Sequence, residues 1–220
     1  ILLNRLKILP IISSIRWKNI QPAEAETVDL AYASYESTAE AAESTPPLVV
    51  LHGLLGSKNN WNSMCKAIHK KTGRKVISVD ARNHGDSRHS SQHSYIHMAN
   101  DVMRLLKKLD LSKVSLLGHS MGGRTAMVLA LLCSDLVSSL IVVDISPVKT
   151  SPQIYSMINL FDAMSGVSIR KGIPIKNDLP EIQEYFPLAK LVFVDGAGHW
   201  VHSQKPEKFL EITCKFLEEK

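Results

Sequence analysis

No uninterrupted apolar run in these 220 residues approaches the ~20 that a membrane helix needs, so nothing is expected to cross a bilayer. Cysteine is scarce. Cys65, Cys133 and Cys214 are odd in number, widely spaced and free of any Cys-x-x-Cys pairing. They read as buried free thiols in a reducing compartment rather than as a disulfide framework. Acidic residues are missing from the first 23 positions, where Arg5, Lys7, Arg16 and Lys18 stand alone. The net charge of +5 is therefore local, because the rest of the chain holds 22 basic against 21 acidic residues. A near-neutral body gives no footing for nucleic acid.

What is present describes one globular domain: 45% of the residues are hydrophobic and 21% charged, enough for a sizeable core. There is no internal repeat. Residues 1–23 combine basic side chains with Ile8, Leu9, Ile11, Ile12, Ile15 and Trp17 and with Ser13 and Ser14. That is the composition of a mitochondrial transit peptide, so matrix localisation is expected, with the domain proper over 24–220. A basic arm lying on the surface is the alternative.

Thr27 to Tyr35 alternates as a strand, and Glu36 to Pro47 reads as an exposed loop. Leu48–Leu51, Lys75–Val79, Lys113–Leu117 and Leu140–Val143 are continuous apolar runs, as in strands buried on both faces. Helical patterns cover Asn60–Lys71, Tyr95–Leu109 and the stretch from Thr125 to Leu132. Lys190–Val194 reads as a last strand and Pro206–Leu217 as a closing amphipathic helix. Strands alternating with helices predict an α/β fold, a mostly parallel sheet with helices on both faces. In such a sheet the chemistry collects outside the carboxyl ends of the strands, here the loops 52–57, 80–94, 118–123, 144–151 and 195–202.

Gly118-His119-Ser120-Met121-Gly122-Gly123 stands between a strand and a helix, the setting of a nucleophile elbow. The turn exposes the Ser120 hydroxyl, and its flanking glycines let strand and helix approach without a Cβ clash. Oxyanion donors are expected from the backbone N–H groups of Met121 and of Leu54, the latter in His52-Gly53-Leu54-Leu55-Gly56-Ser57. Among nine histidines, His199 follows the last strand in Asp195-Gly196-Ala197-Gly198-His199-Trp200, on a loop able to fold back over the sheet. His202 is its rival; His119 must point away from Ser120, and His52 and His84 brace their loops. The acid is less determined. Asp144 ends the strand after the elbow helix and suits the role, whereas Asp178 and Asp195 are alternatives, and Asp80 and Asp86 precede the serine. Arg82 and Asp86 are expected to hold the 80–87 loop in shape. A metal site at His84, Asp86 and His89 lacks ligand spacing. The mechanism so read needs neither metal nor cofactor.

Five blocks in order, namely His52–Lys58, Val79–Ser87, Gly118–Gly123, Val143–Pro147 and Ala197–Trp200, resemble the α/β-hydrolase superfamily, and within it a mitochondrial lipase branch related to small bacterial esterases. The resemblance implies a serine esterase acting on acylglycerols or another small ester, with cleavage at sn-1 of diacylglycerol. It supports Ser120 and His199 and favours Asp144. There is a departure. Relatives of this type insert a helical cap and a further strand where this chain has only Lys149 to Leu188, so residues 150–188 read as a shortened cap remnant. A missing strand is expected to bring the last strand one position closer and to displace His199 by about one strand spacing, ~4.8 Å. The competing reading is a catalytically impaired short form that binds a lipid or a protein.

Overall fold

A computed structural model describes residues 1–5, 26–38, 45–145 and 179–219. The shortened cap region through position 178, most of the basic leader and residues 39–44 of the expected loop lie outside them. In chain order the strands are β1 (Leu2–Arg5), β2 (Tyr32–Tyr35), β3 (Leu48–Leu51), β4 (Val76–Val79), β5 (Val114–His119), β6 (Val137–Val143) and β7 (Lys190–Leu191). The helices are α1 (Asn62–Thr72), α2 (Tyr95–Lys108), α3 (Met121–Leu132), α4 (Leu179–Tyr185), α5 (Val201–Gln204) and α6 (Pro206–Glu218). They make the α/β architecture expected from the alternating pattern.

The strands form one sheet in the order β2-β4-β3-β5-β6-β1-β7. Its centre is parallel: β3 pairs with β4 and β5, and β5 with β6. Every residue of β3, β4 and β5 is buried, which explains their unbroken apolar or small-residue composition. Two apolar clusters sandwich the sheet. One gathers α2, α3, Ile182 and Phe186 over Leu116 and Val142; the other gathers α1 and α6 over Leu117 and Ile141. The bulky side chains Trp61, Ile68 and Phe209 are wholly enclosed in the second layer.

Two elements are shorter than their sequences suggest. The strand expected from Thr27 is confined to Tyr32–Tyr35, although Val28 and Leu30 are buried before it. Of the run from Lys190 to Val194 only Lys190 and Leu191 form a strand, opposite Leu3 and Leu2 of β1. Cys65 and Cys214 are buried free thiols and Cys133 is half-buried; burial pushes the Cys65 thiol up to about 12.

The expected shift of the last strand does not occur. β1 lies antiparallel to both β6 and β7 and keeps them one strand apart. Leu2 opposes Val142 and Leu191, and Leu3 opposes Ile141 and Lys190. Residues 2–5, grouped by composition with the leader, are thus an interior strand of the sheet.

Candidate active site

The elbow is built by three close approaches of backbone. β5 ends at His119, and α3 begins at Met121, leaving Ser120 alone at the corner with φ 50° and ψ −114°. A side chain on Gly118 would stand 2.3 Å from the Gly122 carbonyl oxygen, and one on Gly122 would stand 2.3 Å from that of Leu51. Those positions must be glycine for strand and helix to meet. A non-glycine residue at such angles costs of order 1–3 kcal/mol, held in place by the surrounding sheet. The Ser120 N–H donates to the Val143 carbonyl at 3.0 Å, fastening the corner to the end of β6.

The residue that follows β6 is Asp144, itself at φ 51°. Its Oδ2 accepts a hydrogen bond from His199 Nδ1 at 2.6 Å. Both side chains are largely buried, at 15% and 17% exposure, so this contact is shielded from water. The bond fixes the tautomer and leaves Nε2 as the basic nitrogen. Among the described residues no hydrogen bond joins Ser120 Oγ to His199; such contacts tighten when substrate is bound.

The histidine loop owes its place to neighbours for which the sequence signals no bracing role. His119 Nε2 donates to the His199 carbonyl at 2.8 Å, and the two rings lie 4.6 Å apart. His202 stacks on Trp61 with ring centroids 4.0 Å apart and an interplanar angle of 17°. Burial, with the His199 and His202 charges adding to it, brings His119 down to about 3. Burial and then His199 bring His202 down to about 4. Both are neutral wedges beneath the loop. His202, the rival base, is buried, and its Nδ1 has no hydrogen-bond partner among the described residues. Gly196, at φ 69°, turns the loop, and the Gly198 N–H donates to Gln204 Oε1 at 2.6 Å.

The opposite wall is the loop after β3. His52 donates from Nδ1 to the Gly53 carbonyl at 2.7 Å and accepts the Ala81 N–H on Nε2 at 3.0 Å, so it braces two loops. Among the described residues the N–H groups of Leu54 and Met121 carry no internal acceptor. Met121 is the first residue of α3, where N–H groups lack intrahelical partners and the helix dipole favours negative charge.

Arg82 and Asp86 both hold the 80–87 loop in shape, as expected, each through a partner outside it. Arg82 pairs with Asp101 and not Asp86: Nε meets Oδ2 at 2.6 Å and Nη2 meets Oδ1 at 2.8 Å, all fully buried. Asp86 pairs with Lys58, which also reaches Asp80 Oδ2 at 2.7 Å. Burial pushes the Asp80 carboxyl up, but Lys58 and the N–H groups of Lys58 and Asp86 outweigh it and hold the carboxyl below its usual range. Asp195 is exposed on its loop, and Asp178 lies outside the described residues. His89 and His93 are exposed.

Comparison with known proteins follows the same lines. The alpha/beta hydrolase fold family matches residues 46–165. The mouse sn-1-specific diacylglycerol lipase ABHD11 is 36% identical over 250 aligned positions, covering 78% of this chain and 81% of that protein. A putative esterase/lipase of Haemophilus influenzae is 30% identical and covers 79% of this chain and 84% of its own. Among solved structures, a marine microorganism esterase superposes with a TM-score of 0.70 at 27% identity, over 86% of this chain and 100% of that one. The mouse alignment is longer than this chain, so at least 30 of its positions have no residue here. The chain belongs to the alpha/beta hydrolase fold family.

Proposed function

We propose that this protein hydrolyses carboxylic esters through a serine-bound acyl intermediate. Ser120 Oγ attacks the ester carbonyl while His199 Nε2 takes its proton. Asp144 orients the imidazole and stabilises its cation. The Met121 and Leu54 N–H groups receive the negative oxygen of the tetrahedral adduct, each worth about 3 kcal/mol in sites of this type. Collapse expels the alcohol, which leaves with the proton from His199. Water, deprotonated by the same nitrogen, then releases the acid and restores Ser120.

The observation carrying this reading is the 2.6 Å contact between Asp144 and His199, on the loop packed against the elbow. A serine held at strained angles beside unengaged N–H groups supports the same chemistry. The substrate class follows from similarity to lipases and esterases: an acylglycerol, with diacylglycerol the first to test. The basic, acid-free residues 1–23 support delivery to mitochondria.

A second reading, a short form that binds lipid without turnover, draws on the shortened segment and on the unmade Ser120–His199 bond. One experiment separates the two. The full chain should label with a fluorophosphonate probe, and Ser120→Ala should not. A folded full chain that stays unlabelled refutes the hydrolase and leaves the binding module.

A further inference from the structure

β1 has the properties of a core strand without the usual provenance of one. Its neighbours come from the two halves of the site: β6 runs directly into Asp144, and β7 leads into the loop bearing His199. Because β1 is antiparallel to both, β6 and β7 run parallel and deliver their carboxyl ends to the same edge of the sheet. Leu2 is 3% exposed and packs in the cluster with Leu116 and Val142; Leu3 is 7% exposed and packs in the opposite cluster with Leu117 and Ile141. Burial on both faces marks an interior position, not an edge. The Val192 N–H adds a bond to the Ile1 carbonyl at 2.7 Å, continuing the pairing past β7.

We propose that Leu2–Arg5 is a surrogate core strand, seated where this shortened chain lacks one, and that the alignment of His199 with Asp144 depends on it. This rests on the serine hydrolase reading above. With β1 in place, β7 stands about two strand spacings from β6, roughly 9.6 Å. Without it, β7 loses its backbone partner, and it either drifts or closes onto β6 by about one spacing. Either movement separates a 2.6 Å contact. The proposal also joins two properties of the same segment. A protease that removed residues 1–23 as a leader would remove β1 with it, so a chain processed there has an open slot and a misplaced base. Retention or loss of these residues then sets whether the hydrolase works.

The first test uses the full chain. Leu3→Cys with Ile141→Cys places cysteines at directly opposed positions, whose Cα separation in an antiparallel pair, ~4.5–5.5 Å, suits a disulfide. Mild oxidation should give a 3–141 cross-link, mapped by mass spectrometry against Cys65, Cys133 and Cys214, with fluorophosphonate labelling retained. Failure to cross-link overturns the placement. The second test compares labelling rates of the full chain and of residues 24–220. We expect at least a 100-fold slower rate for the shorter chain, recovered saturably by a peptide of residues 1–10 and not by that peptide carrying Leu2→Asp and Leu3→Asp.

Should the shorter chain fail to fold, Leu2→Ala/Leu3→Ala in the full chain replaces it. A positioning role predicts kcat at least tenfold lower with KM unchanged, and Asp144→Asn in that background costing less than it does alone. Full activity without β1, or additive losses, overturns this proposal alone. A full chain that never labels overturns the serine reading instead, however the cross-link behaves.

Discussion

The elbow and the histidine loop are held by unlike means. β5 is six residues long, buried throughout and paired on both sides, and close backbone approaches hold Ser120 between β3, β6 and α3. β7 has two paired residues, one neighbour among the described strands and half-exposed side chains. The loop beyond it is steadied by side chains instead: His119 on its carbonyl, Gln204 on its Gly198 N–H and Asp144 on its imidazole. One half of the site is thus a product of the central sheet, while the other is assembled from tertiary contacts. A side chain fixed by backbone tolerates changes at its periphery; one fixed by a handful of hydrogen bonds does not.

The largest effect should come from the rigid half. Ser120→Ala is expected to lower kcat on a short-chain ester by about a million-fold, as removing a serine nucleophile does elsewhere. Retained turnover would end the comparison at once. In the half assembled from tertiary contacts, Asp144→Asn should cost about ten thousand-fold in kcat with the fold intact, because the imidazole then loses its preferred tautomer; a near-normal rate would move the acid to another residue. Stability should rank the halves in the same order. Leu116→Ala in β5 removes a fully buried side chain and should cost 2–5 kcal/mol in urea unfolding, whereas Leu191→Ala in β7 should cost about 1 kcal/mol or less. Equal losses would mean that β7 is as firmly built as β5.

A further effect is graded by pH. His119 and His202 are held neutral, at about 3 and about 4, below their unfolded value of 6.5. The unfolded chain therefore binds more protons between those limits. Stability is fully present above pH 6.5 and falls as pH drops toward 4, by about 1.4 kcal/mol per pH unit for each histidine. Denaturant midpoints measured from pH 7 to 4.5 check this, and replacing His202 by Phe should flatten the slope. An unchanged slope in that variant would show that the stacked pair with Trp61 contributes nothing to it.

Much of this organisation was legible beforehand, for identifiable reasons. Continuous apolar runs announce strands buried on both faces, and the glycine spacing around Ser120 announces a turn that few other sequences can make. Asp144 and His199 could be paired as candidates because each follows a strand, and chemistry gathers at strand ends. That Arg82 and Asp86 hold the 80–87 loop was legible, but their partners were not, because the partner of Arg82 lies on α2 and that of Asp86 precedes α1. β1 escaped notice for a different reason. Ile1-Leu2-Leu3 is too short to carry a period, and the basic residues that follow dominate any compositional reading of the segment. The bracing by His119 and Trp61 had no sequence signal; it exists only once three distant stretches have met.

The pairing of Leu2 with Val142 and Leu191 also constrains the order of events during synthesis. β1 is made before either of its partners, and the second of them, β7, is made after every other described strand of the sheet. Until then its two apolar faces stay uncovered while the centre of the sheet assembles. The sheet is therefore completed through one of its early-made strands, which offers any chaperone an accessible apolar segment for much of synthesis.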